Sequence, residues 1–219
     1  MTLAVVFLGG DGTDYAERPP PPALAPWVHA AWSLRARRPI DLRVLPDGCI
    51  DIIAGRVVGP FTSAIVVPVA AGGEVSGLRL RPGAFTALTG VPASELVDLT
   101  VPLDDLLGRR ARLAALAADA DAPDPLAEAA MGACDLGALA RDAGYSPRHL
   151  RRRLLLATGL GPKRLQRIGR MQRALTAGRG ESWARTAIEQ GWHDEAHMAN
   201  DVGALAGATP HALLGTPAA

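Results

Sequence analysis

Two stretches of this 219-residue chain repeat one pattern, and the repeat narrows the folds open to its C-terminal part. "LGALARDAGYSPRHLRRRLLLATGLGP", from Leu136, aligns with "WARTAIEQGWHDEAHMANDVGALAGATP", from Trp183. Ala140 and Gly144 match Ala187 and Gly191. After one inserted residue, Ser146 meets Asp194, and both residue types cap helix N-termini. Leu150 and Leu154 then meet Met198 and Val202, while Gly159 and Pro162 meet Gly207 and Pro210. Each copy reads as helix, Gly-aromatic turn, capped helix, Gly, Pro. That is a helix-turn-helix, twice.

The rest of the chain divides around this repeat. "ERPPPPALAP" (Glu17–Pro26) is a stiff, extended entry that cannot be a helix interior. "AAWSLRA", "DLRVL", "IDIIAG", "AIVVPVA" and "VSGLRLR" follow as short strands with Pro and Gly turns between them. Gly83–Thr89 and "PASELVDL" read as short helices, and "DDLLGRRARLAALAADA" as one longer amphipathic helix. "DAPDP" (Asp121–Pro125) reads as a linker. The expected fold is therefore an α+β unit over 1–120, a linker at 121–125 and an all-α unit over 126–219 with two helix-turn-helix motifs joined by a helix.

Charge follows the same division. Residues 1–130 hold 11 Lys/Arg against 15 Asp/Glu, and residues 131–219 hold 12 against 7. All twelve cations of the second part fall between Arg141 and Arg185. A basic all-α unit behind an acidic one points to a polyanion partner for the former. Cys49 and Cys134 fit no zinc or redox spacing, which agrees with a reduced cytoplasmic protein. The opening "MTLAVVFLGGDG" is too short for a signal sequence, and no segment reaches the roughly 20 apolar residues of a membrane span.

Within the first repeat, an advance of about 100° per residue puts Leu150, Leu154 and Ala157 on one face. Arg148 and Arg152 point away from it, flanked by His149 and Arg151. Such a helix offers an apolar seam to a partner helix and a cationic face to a major groove, where Arg donates two hydrogen bonds to guanine. A basic face solvated beside the acidic unit is the plainer alternative. Arg153 projects nearer the core edge, its stem packed and its head turned out. Leu155 and Leu156 are expected to cover the connecting helix. That helix, "PKRLQRIGRMQRALTAG", carries Lys163, Arg164 and Arg167 as candidate phosphate contacts, with Arg170 assigned to internal ion pairs. The second reader has Met198, Val202 and Leu205 as its seam, and Ala196, Asn200, Gly203 and Ala204 opposite. It holds no Lys or Arg, so Asn200, suited to adenine, is its main candidate. This copy keeps the fold and has lost most of its grip.

The segment from about Asp135 to Leu214 resembles the paired helix-turn-helix domain of AraC/XylS-type bacterial transcription regulators. "LARDAGYSPRHLRRRLLLATGLGPKRL", "GRMQRAL" and "TAIEQGWHDEAHMANDVGALAGATP" carry the likeness. The resemblance implies two recognition helices in successive major grooves, with Arg148, His149, Arg151 and Arg152 in the first and Glu195, Ala196, Ala199 and Asn200 in the second. Leu154 and Val202 stand where the family often has an aromatic, and Asn200 and Gly203 where it often has a basic residue. "APWVHAAWSLRA", "VLPDGCIDII" and "GLRLRPGAFTALTGVPASELVDLTVPLDDLLG" resemble an uncharacterised domain found ahead of this unit, which implies sensing or dimerisation.

The expected function is sequence-specific regulation of transcription without enzyme activity or cofactor. Its partners would be operator DNA, an unknown small-molecule effector, RNA polymerase and a second copy of the chain, with no membrane. A protein-binding co-regulator and a ligand-processing enzyme are the alternatives, the latter without a Ser-His-Asp set or a phosphate loop to support it. Arg79 and Arg81 alternate with Leu78 and Leu80, either lining an anion pocket or sitting on a solvated sheet face. Cys49 is either a sensing thiol or an inert buried one. His193 and His197 in "HDEAH" have metal-pair spacing, but fall at a turn and a cap.

Overall fold

A computed structural model describes residues 12–108, 113–178 and 182–214. The N-terminal unit holds β1 (Thr13–Arg18), β2 (Val28–Ala36), β3 (Ile40–Val44), β4 (Asp51–Ile53), β5 (Arg56–Val58), β6 (Ile65–Val69), β7 (Glu74–Leu80) and β8 (Thr100–Pro102). Six of them form one antiparallel sheet in the order β1-β2-β7-β4-β5-β8, and β3 pairs with β6 in a separate ribbon. The five expected strand segments are present as β2, β3, β4, β6 and β7. Sequence reading missed the three short strands β1, β5 and β8. The "MTLAVVFLGGDG" segment lies almost wholly outside the described residues.

Pairing register sorts the large sheet's two faces. Trp32 lies opposite Glu17, Leu34 opposite both Tyr15 and Val75, and Asp51 opposite both Arg79 and Val58. Alternation therefore turns these residues to one face, where Trp32 and Leu34 cluster with Leu42 under the β3–β6 ribbon. Val57 and Leu80 belong to the opposite face. They pack with Phe85 and Leu88 of α1 (Ala84–Thr89) and Ala117 of a later helix.

Two expected helices are corrected. "PASELVDL" forms only a 3-10 turn at Ala93–Glu95. The longer helix breaks into α2 (Leu103–Leu107) and α3 (Leu113–Asp119), because Gly108 ends α2 with φ 75° and ψ 157°, a conformation no helix continues. Arg109, Arg110 and Arg112 of that expected helix lie outside the described residues.

The C-terminal unit is helical: α4 (Leu126–Gly132), α5 (Leu136–Asp142), α6 (Pro147–Thr158), α7 (Pro162–Ala177), α8 (Trp183–Glu189), α9 (Glu195–Ala206) and α10 (Pro210–Leu214). The repeat is reproduced in detail. Ser146 and Asp194 cap α6 and α9 by accepting from the His149 and His197 N–H groups, and both helices run 12 residues to Gly159 and Gly207. Before each, a glycine with φ near 70–84° (Gly144, Gly191) reverses the chain, and the next aromatic's N–H donates back to Ala140 or Ala187. Leu150, Leu154, Leu165, Ile168, Met171, Met198 and Val202 form one core.

The two units are packed together. Leu45 and Cys49, from the loop after β3, belong to the helical core rather than to the sheet. Gln172 of α7 donates to the Pro46 carbonyl at 2.9 Å, and the Ala64 N–H donates to the Leu205 carbonyl at 2.7 Å. Within 121–125, the Asp121 carbonyl accepts from the Trp27 indole, and Asp124 accepts from the Leu126 N–H.

Candidate nucleic-acid interface

Pro147 opens α6 in a position where no N–H is required, and Leu150, Leu154 and Thr158 drive one stripe into the core. The positions between them are left partly or fully exposed. Arg148, Arg151 and Arg152 are exposed, and none is bonded to a described residue. His149 is half-buried, its ring 4.5 Å from that of Tyr145. Arg153 ion-pairs with Asp124 and lies 5.2 Å over the Tyr145 ring, so it buttresses the helix instead of projecting from it. Leu156, expected to cover the connecting helix, stays exposed at the end of α6 facing α1, where Thr86 Oγ1 donates to the Leu156 carbonyl at 3.2 Å.

The connecting helix α7 spends most of its charge internally. Lys163 is exposed with no partner among the described residues. Arg164 turns inward and donates to the Thr62 carbonyl at 2.7 Å. Arg167 and Arg170 both bind Asp201 of α9, at 2.7 and 2.8 Å. The Trp192 indole donates to the same carboxylate at 3.0 Å, and Arg170 lies 4.4 Å over that ring. Burial works to raise the Asp201 carboxyl, but hydrogen bonds from Arg167, Trp192 and Arg170 outweigh it and hold it below its ordinary value. Arg173 donates to the Met131 carbonyl and to Gln190. Of the candidate phosphate contacts Lys163, Arg164 and Arg167, only Lys163 is left free. The signal for this hub was in the chain, since Arg167 and Arg170 are three apart on one helix face, but their acceptor is 34 and 31 residues on.

The second reader presents Ala196, His197, Asn200 and Ala204 to solvent. Asn200 is exposed and bonded to no described residue, while Glu195 is taken by His211 at 3.1 Å. The α9 helix thus offers one amide where α6 offers three guanidinium groups.

Of the candidate ligand residues, Arg79 is buried at 2% exposure among Glu17, Asp47 and Asp51, which replaces both the anion pocket and the solvated face. Burial works against its charge, yet Asp47 and Asp51 hold it above the ordinary arginine value. Arg81 leaves that face and bridges the units, donating to the Ala25 carbonyl and to Glu128 at 3.2 Å each. Cys49 is a buried free thiol that burial pushes well above its ordinary value, so it is a poor nucleophile. His193 and His197 are exposed, and no group of three metal-ligating side chains occurs among the described residues.

Residues 139–215 match a family described as a helix-turn-helix domain, and residues 16–102 match a domain of unknown function, DUF6597. No curated protein and no solved structure matches the chain. No helix among the described residues is long and apolar enough to cross a membrane.

Proposed function

We propose, for a chain that carries an AraC-type helix-turn-helix domain behind a DUF6597 domain, that it regulates transcription by reading an operator mainly through α6. The helix-turn-helix family supports DNA binding and transcription regulation. The preference for α6 rests on one observation: Arg148, Arg151 and Arg152 stand free on its outer face, whereas the exposed face of α9 has no Lys or Arg. Arg152 and Arg148 reach base edges, Arg151 and Lys163 neutralise phosphates, and Asn200 adds a weaker contact.

One strong reader gives non-specific affinity but little discrimination. A second subunit, joined through the N-terminal unit, would bring another α6 to a repeated half-site. The N-terminal unit therefore dimerises, senses an effector, or both. Selection of duplexes from a random pool with the full chain tests the reading. Enrichment of a short repeated motif is expected, and recovery of no sequence above background, with no salt-dependent retention, would reject it.

A further inference from the structure

Between the six-stranded sheet and the β3–β6 ribbon lies a cavity of about 260 Å³, walled by Trp32, Leu34, Leu42, Ile53, Val67 and Val75. An apolar cavity of roughly 150 Å³ accommodates benzene. This one has room for a single ring with a short substituent. Val67, partly exposed on β6, stands at its edge.

Two charged residues, Asp51 and Arg79, also line it. Glu17 and Asp47 each lie 3.1 Å from Arg79, and Asp51 lies 3.6 Å from it, so three carboxylates share that guanidinium. Asp51 Oδ1 also accepts from the Trp32 indole at 2.9 Å. A carboxylate entering this space adds to an excess of negative charge, and a neutral group leaves the excess in place. An ammonium group offsets part of it.

The same cluster shapes the loop gripped by the helical unit. Asp47 holds Arg79 through Oδ2 and accepts from the Cys49 N–H through Oδ1 at 2.9 Å. Cys49 lies in the helical core and the Pro46 carbonyl is bonded to α7. A ligand that draws Asp51 away from Arg79 changes the share of that guanidinium left for Asp47, and so the hold on the loop.

We propose that this cavity binds a small arylalkylammonium effector, and that occupancy reaches the DNA-binding helices through Arg79, Asp47 and the loop 46–49. The second half rests on the reading of the chain as a DNA-binding regulator. The binding half does not.

The test uses the full chain and three probes of one skeleton: 2-phenylethylammonium, 2-phenylethanol and 3-phenylpropionate. By calorimetry, the ammonium should bind at least about tenfold more tightly than the other two. Asp51→Asn should remove that preference, and Val67→Phe should block binding of the ammonium. Equal or tighter binding of the carboxylate, unaltered binding by Val67→Phe, or no saturation by any probe at millimolar concentration overturns the site. Saturating ammonium should also shift affinity for the selected duplex by at least about fivefold. Asp47→Asn keeps an oxygen for Cys49 but weakens the Arg79 ion pair, and should abolish the shift. An unchanged duplex affinity in the wild type overturns the coupling. Ammonium binding by a chain that retains no duplex leaves the site standing and removes the regulator reading instead.

Discussion

Arg148, Arg151, Arg152 and Arg153 sit within six residues of one helix, yet only Arg153 is held by an acid. The difference is angular. Arg153 lies beside Leu150 and Leu154 at the core edge, within reach of Asp124, while the other three lie beyond any described carboxylate. An unpaired guanidinium has no internal ion pair to break before it meets a base or phosphate. Arg152→Ala should therefore cost about 1–3 kcal/mol of duplex affinity and relax specificity at one position. Asn200→Ala should cost less. The reverse order in a duplex titration would assign reading to α9. Lys163→Ala should weaken all duplexes alike and lower the log–log salt slope by about 1.

Among the elements, α7 holds the two helix-turn-helix copies in fixed relation. Its Arg167 and Arg170 converge on Asp201, whose side chain is 11% exposed. Asp201→Asn leaves two part-buried cations without their counter-charge and should destabilise the fold by about 2–4 kcal/mol. The Asp201 carboxyl is held below its ordinary value, so its contribution is complete above about pH 4 and is lost as pH falls through that lowered value. The stability gap between wild type and variant in chemical denaturation should close over that acid range. A gap that widened toward acid would contradict the ion-pair account. Elsewhere on α7, a Cβ at Gly169 would lie 2.1 Å from the Met131 carbonyl oxygen of α4. Gly169→Ala should push α4 off α7 and cost about 1–3 kcal/mol in the same assay.

At the scale of the whole molecule, Leu45 and Cys49 fill the helical core from outside it, and this couples the two units. Leu45→Ala should lower stability by about 2–4 kcal/mol while the chain still melts in one transition. Separate melting of the two units would show the loop to be a passive contact. A fragment from residue 126 loses that filling and should melt below the full chain. On DNA, two chains per operator are expected, with half-sites on one face of the duplex. Sedimentation of the saturated complex measures this, and one chain on an undivided site would exclude the dimer. Changing the spacing by half a turn should weaken binding sharply, since the two α6 helices would no longer reach one face.

Local chemistry alone determined the repeat: caps at Ser146 and Asp194, turns at Gly144 and Gly191, and seams at Leu150/Leu154 and Met198/Val202 all act within a few residues of chain. The cationic outer face of α6 followed from the same 3.6-residue period, and so did the bare face of α9. Short range failed where partners come from far along the chain. Whether Arg164 and Arg167 meet phosphate was decided by Thr62 and Asp201, and whether Arg79 meets water by Glu17, Asp47 and Asp51. The strands β1, β5 and β8 went unread because none has a buried apolar alternation of its own, and each is held by backbone bonds to a neighbour. Helix periodicity is written into consecutive residues. The pairing of a charge or a short strand belongs to whichever distant group the folded chain brings into contact, and only the tertiary structure decides that.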